Sequence, residues 1–405
     1  MKKAIVLGAA MLLAGAAAFA ADVKFSGKFR TGYTFDFSDS KVKGKTYYDG
    51  SHSTNWKGNG GRLNFHVTDA DGAWDLNYKN IAGDLDSNDT EKITATVNFD
   101  KLLDLNGLKV SLQIGNKTDD TLLRAYGDDS GDHHARVKAI GDWVAAVQVG
   151  YDAFTFRAAV DPVYQNAKLS TGASDTENLA GFAVSGKYSL ADYGVNVAAG
   201  YAHNGQIEAA NGSNGVGKTL FANVFSAEAN ADIAKMLGAS DFKLGAGVAF
   251  NYGKGDDTKD IMRSGDFVAA VKADATYGVG AKPAKPYASQ KDDQMVLAAQ
   301  LTGGVDAIDG WVEYVYSKTE DQDAINYLKV QANINVLAQK GVGLDVYGSI
   351  GNFDKADETW VIGGDVSYKL KTVEFGLNPE VYSYQNKDSD NKVGVSITPK
   401  MTIAW

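Results

Sequence analysis

From residue 21 to the end, the chain alternates apolar and polar side chains with period two. In residues 23–37, Val23, Phe25, Phe29, Tyr33, Phe35 and Phe37 fall on one face, and Lys24, Ser26, Lys28, Arg30, Thr34 and Asp36 on the other. Successive side chains of a strand point to opposite faces, so this spacing predicts a strand with one greasy and one wet side. The pattern returns at Leu63, Phe65 and Val67, at Leu108, Val110, Leu112 and Ile114, and at Phe154, Phe156, Ala158 and Val160. It continues through Leu328, Val330, Ala332, Ile334 and Val336, and through Trp360, Ile362, Val366 and Tyr368. The fold class is therefore all-β.

Two kinds of connection separate these segments. Short ones are Asp71-Gly72-Ala73, Asp152-Ala153, Ala191-Asp192 and Gln339-Lys340. Longer polar ones cover residues 38–60, 83–91, 117–141, 162–177, 205–219, 253–265, 278–292 and 386–391. Alternating short and long connections are expected of a transmembrane antiparallel β-barrel with short periplasmic turns and long outer loops. About nineteen segments can be drawn, but a chain with both ends on one side needs an even number. The reading is about eighteen strands, with sixteen or twenty open. The surplus lies within 220–292, where Asp232 to Gly238 can instead form a short helix.

The first residues read as an export signal. Lys2 and Lys3 precede an apolar run from Ala4 to Ala17, and Ala18-Phe19-Ala20 fits an A-x-A cleavage site. Residues 1–20 are the expected signal peptide and 21–405 a single barrel domain. Removal of Lys2 and Lys3 takes the formal charge from -10 to -12. An acidic chain without a basic stripe excludes a nucleic-acid partner. With no Cys, disulfide scaffolds, thiolate metal sites and Cys nucleophiles are excluded.

A soluble sandwich also alternates. A membrane barrel is favoured by a polar face rich in charge, Asn, Gln, Gly and Ser, as a wet lumen requires. Aromatic residues crowd the predicted strand ends at Trp74, Tyr78, Trp143, Tyr151, Tyr188, Tyr201, Tyr252, Tyr277, Trp311 and Trp360, as bilayer interfaces favour. Pro162, Pro283 and Pro286 fall in predicted loops. Pro379 and Pro399 fall inside predicted strands, where a bulge or rim position is expected.

The last segment places Val393, Val395, Ile397, Met401, Ile403 and Trp405 on one face, ending on an aromatic residue. This resembles the C-terminal signal strand of bacterial outer-membrane barrels, which the barrel-assembly machinery reads. Such strands often end in Phe, so Trp405 is a departure; Trp405, Ile403 and Met401 would carry the signal. The whole mature chain resembles the general bacterial porins in architecture. That resemblance implies an outer-membrane location among lipids and lipopolysaccharide, small hydrophilic solutes as cargo, a homotrimer and no cofactor. It also implies that the third outer loop, residues 117–141, folds inward. Asp119, Asp120, Arg124, Asp128, Asp129 and Arg136 would then set charge at a constriction. Facing them, by strand parity, would be wall residues Lys24, Lys28, Arg30, Arg62 and Arg157. Opposed rows of charge favour small polar solutes over apolar ones.

Competing chemistry is thinner. Gly212 to Thr219 satisfies G-x-x-x-x-G-K-[ST], but a phosphate loop needs a helix after it, and Leu220 to Ala231 reads as strand. His133-His134 has no third ligand at metal spacing, and the Asp-rich tips (Asp84, Asp86 and Asp89; Asp256, Asp257 and Asp260; Asp388 and Asp390) miss the Ca²⁺-loop pattern. For a barrel enzyme only His66 and His203 are candidates, without a partner fixed by spacing. A surface adhesin with a plugged lumen is the main alternative to a channel.

Overall fold

The computed structural model describes residues 22–37, 43–45, 60–79, 92–115, 121–123, 136–139, 144–169, 176–210, 216–255, 261–263, 293–320, 323–351, 359–385 and 391–405. Eighteen long strands follow one another: β1 (Asp22–Gly32), β2 (Gly60–Thr68), β3 (Trp74–Lys79), β4 (Lys92–Asn98), β5 (Lys109–Gly115) and β6 (Val144–Tyr151). Next come β7 (Phe154–Leu169), β8 (Thr176–Leu190), β9 (Val195–Ala210), β10 (Val216–Asp232), β11 (Phe242–Lys254) and β12 (Gln294–Val305). The last are β13 (Ile308–Thr319), β14 (Ile325–Ile334), β15 (Val342–Gly351), β16 (Thr359–Leu370), β17 (Val373–Gln385) and β18 (Asn391–Ala404). Each pairs antiparallel with the next, and β1 closes the circle on β18 from Lys28 opposite Ala404 to Gly32 opposite Lys400. Thr34–Asp36 extends β1 along the same partner. Closure leaves no sheet edge, which is what a sheet crossing hydrocarbon requires.

The strand count is settled by β11 pairing directly with β12, from Phe242 opposite Val305 to Gly253 opposite Gln294. The short helix expected after Asp232 is found at 233–236 as the one-turn α2, after the equally short α1 at Phe99–Leu102. Asp232 caps α2 by accepting from the Lys235 N–H. The expected segment at 266–277 lies outside the described residues. Short turns stand at all four expected places, with Gly72 and Asp152 in the left-handed region that tight reversals demand.

Two expected loops are largely strand. β7 and β8 run to Leu169 and from Thr176, and β9 and β10 run to Ala210 and from Val216. The alternation fades there because these strands outreach the roughly 9–11 residues a span needs, and beyond the bilayer both faces meet water. Pro162 accordingly lies in β7, at a register shift between Asp161 and Tyr164. Strand β10 runs straight on through Thr219, so no helix follows the Gly-rich motif.

Pro379 and Pro399 sit in the sheet without a bulge. Pro399 makes one of the two backbone bonds of its pair with β1: its carbonyl accepts from the Tyr33 N–H at 3.1 Å, and it has no N–H to return. Level with Pro379, the Gly364 carbonyl is met instead by the Asn378 side-chain amide at 2.6 Å. That amide also donates to the Tyr347 hydroxyl at 2.8 Å. Asn378→Leu is expected to destabilise the folded protein by about 2–4 kcal/mol, since it strands a buried carbonyl. Denaturant titration in detergent micelles measures the loss.

The two faces of the wall differ as the alternation requires. Outward lie Phe25, Phe29, Phe156, Val248, Leu297, Ile362, Leu377 and Val395, all exposed to the surroundings. Inward lie Arg30, Arg157, Glu228, Gln300, Glu313, Lys329, Asp365, Asn378 and Lys400. An oily belt outside and a polar inside define a membrane-spanning barrel rather than a sandwich, whose apolar faces would be hidden.

Candidate functional site: the lumen and its narrowing

Inward side chains change exposure along each strand. Near the short-turn rim they are open: the Lys243 side chain is 80% exposed and that of Asp309 37%. Half-way up they are shut off, with Glu313 and Lys329 each at 1%. The bore is thus a vestibule at one end and tightly lined at mid-height.

On one side of the bore the lining is dry. Ala183, Ala202, Val224, Ala249, Val296 and Val315, on strands β8 to β13, form one buried apolar cluster with Phe221. Leu123, from the segment between β5 and β6, packs against it. The neighbouring Leu122 N–H donates to the Ser185 hydroxyl at 2.9 Å. Gly200 supplies the room: a Cβ there would stand 2.9 Å from a Leu123 methyl. Thr121 is buried alongside. Residues 121–123 therefore lie inside the barrel, where the Leu122–Ser185 hydrogen bond and the packing of Leu123 hold them to its inner wall. The same connection returns as Arg136–Ala139, which pairs with β9 from Gly205 to Glu208.

The other side is ionic. Lys400 reaches across β17, over Gly376, to pair with Asp365; both side chains are nearly sealed, at 5% and 8%. Asp345 faces Asp365 across the β15–β16 ladder. The Tyr347 hydroxyl donates to Glu380 at 2.5 Å, and the Tyr382 hydroxyl to Asp36 at 2.8 Å. Each of these rings lies flat over a glycine of the neighbouring strand, Gly363 and Gly394. The closing seam is stapled from inside, by Arg30 Nε to Thr402 at 3.3 Å and Thr34 to Thr398 at 2.9 Å. Arg157 stands across the barrel and donates to Gln148 at 3.0 Å and Gln113 at 2.7 Å.

Of the wall residues named from sequence, Lys24, Lys28, Arg30 and Arg157 share the inward face. Arg62 pairs with Lys28 by backbone, and its side chain lies outside the described residues. Asp119, Asp120, Arg124, Asp128 and Asp129 also lie outside them, and Arg136 is described by its backbone pairing alone. His133 and His134 lie outside them as well. His66 points inward, bound to Asp75, while His203 points outward beside Phe182, so the two cannot act together. Trp311 corrects the aromatic girdle: it shares its face with Glu313 and carries the Lys329 ammonium 5.3 Å from its ring, which puts it in the lumen. Aromatic content at a strand end does not tell face, and parity does.

At the seam, Trp405 and Gly27 exchange both backbone hydrogen bonds, at 2.9 and 3.1 Å, and the indole lies over the bare Gly27 Cα. Ile403 pairs with Phe29, and Met401 with Thr31.

No family model and no curated protein matches the chain. Solved structures do. The chain is similar to Pseudomonas aeruginosa OpdQ, at 9% identity and TM-score 0.53 over 95% of this chain and 98% of that one. It is equally similar to OccK2 (OpdF) of the same organism in complex with glucuronate, at 9% identity and TM-score 0.53 over 95% and 97%. A BenF-like porin from Pseudomonas fluorescens matches at 10% identity and TM-score 0.50 over 95% and 99%. The shared feature is the fold: this chain is a closed antiparallel barrel of eighteen strands with the porin-type fold.

Proposed function

We propose that the protein is an outer-membrane channel through which small hydrophilic solutes and ions diffuse passively, with its bore narrowed by the segment between β5 and β6. The observation that carries this reading is the seating of Thr121, Leu122 and Leu123 on the inner wall at Ser185 and Gly200. A segment spent on narrowing a polar bore has a use in a conduit and none in a solid plug. Arg157 on one side and Glu380 on the other place opposite charge across the bore. Residues 1–20 serve as the export signal, and the Met401–Ile403–Trp405 face as the assembly signal read by the barrel-assembly machinery. In the membrane the belt meets lipid and lipopolysaccharide, and three copies associate.

Planar-bilayer recording tests the proposal. The purified protein is expected to give stable ohmic steps. Gly200→Val, which takes the room of Leu123, or removal of 117–141 is expected to raise unit conductance roughly two-fold or more, because conductance follows the narrowest section. A silent bilayer would favour the adhesin reading. Unchanged conductance in both variants would show that this segment does not set the bore.

A further inference from the structure

Among the described tryptophans, Trp74, Trp360 and Trp405 face outward and Trp311 alone faces the bore. Its surroundings are unlike those of any girdle residue. Thr302 stands opposite it on β12 and Gln331 opposite it on β14. One layer nearer the vestibule, Asn333 donates to Asp309 at 2.7 Å, and Lys243 lies 3.9 Å from the same carboxylate. Gln331 donates to Asn333 at 3.0 Å, yet its own carboxamide oxygen has no hydrogen-bond partner. The Lys329 ammonium takes one face of the indole, and the ring stays half-exposed.

An indole in a wet bore exposes apolar area without compensation unless something flat and apolar covers it. Around this one stand a hydroxyl, two carboxamides, a carboxylate and an ammonium, and the network is one donor short. A ligand suited to these surroundings has an apolar face for the ring and hydroxyls around its edge. We infer that Trp311, with Gln331, Asn333, Asp309 and Thr302, forms a binding subsite for a pyranose sugar on the vestibule side of the narrowing. The sugar's C–H face stacks on the indole face turned away from Lys329. One hydroxyl donates to Gln331 after a turn of its carboxamide, and others reach Asp309 and Thr302. The inference deepens the channel reading by naming a solute class, and it stands on this chain's own residues rather than on any likeness.

The test is a fluorescence titration of the detergent-solubilised protein with glucose, galactose and maltose, alongside bilayer recording with the same sugars. Saturable quenching at millimolar sugar is expected, and it should vanish in Trp311→Phe because the remaining described tryptophans face outward. In recordings, sugar should add blocking noise to the current, with apparent affinity lowered about ten-fold or more in Trp311→Ala and in Gln331→Leu. Circular dichroism of each variant separates loss of binding from loss of the barrel. Fluorescence needs no conduction, so a sugar response beside a silent bilayer would sink the channel reading and keep the subsite. No response from the wild type, or an equal response in Trp311→Ala, would overturn the inference.

Discussion

Lys400→Glu is expected to keep the barrel from reaching its folded form. The lysine is buried against Asp365, with Asp345 across the ladder. Reversing its sign would set three carboxylates together where water cannot screen them. Removing one partner of a buried pair already costs about 3–5 kcal/mol, and reversal adds repulsion to that loss. This exceeds a large share of the roughly 5–15 kcal/mol by which folded proteins are held. The expected readout is loss of the heat-stable, detergent-resistant form. The paired change Lys400→Met with Asp365→Leu removes both charges and is expected to retain it, within about 2 kcal/mol of the parent. If the double variant fails as badly as Lys400→Glu, packing over Gly376 rather than charge is what holds this wall.

The second large effect is expected at the seam. Gly27→Phe puts a ring where the Trp405 indole lies, at the pair that begins the β1–β18 ladder. Deleting Trp405 removes the same pair from the other side. Both are expected to lower the yield of assembled barrel in membranes several-fold. Gly27→Phe combined with Trp405→Ala should recover part of it, because the two rings compete for one place. Assembly yield is read by fractionation and by the mobility shift on heating. Normal assembly of the Trp405 deletion would refute a role for the terminal residue.

The strand order, the helix after Asp232 and the inward face of Lys24, Lys28, Arg30 and Arg157 were legible in the sequence, because a period of two is written residue by residue. Height was not. Glu380 and Lys400 are on the polar face by the same parity, yet nothing in their spacing reveals that at mid-barrel they meet Tyr347 and Asp365. That depends on how far each strand is staggered against its neighbour, which tilt and closure fix over the whole circle. Nor could Leu123 be seen as a lumen residue. Two leucines in a polar connection acquire meaning only once Ala183, Ala202 and Val224 assemble a dry patch for them. Trp311 shows the converse error, in which composition suggested a lipid interface and parity placed the ring inside.

The four tall strands β7 to β10 have 15 to 17 residues each. At about 3.3 Å per residue and a tilt near 40°, the surplus over a bilayer span rises roughly 13 Å above the lipid. The mouth of the barrel therefore carries a parapet on one flank. Peptide tags inserted between β7 and β8 or between β9 and β10 would stand clear of the lipid surface, making these crests the natural place to display an epitope or a capture handle.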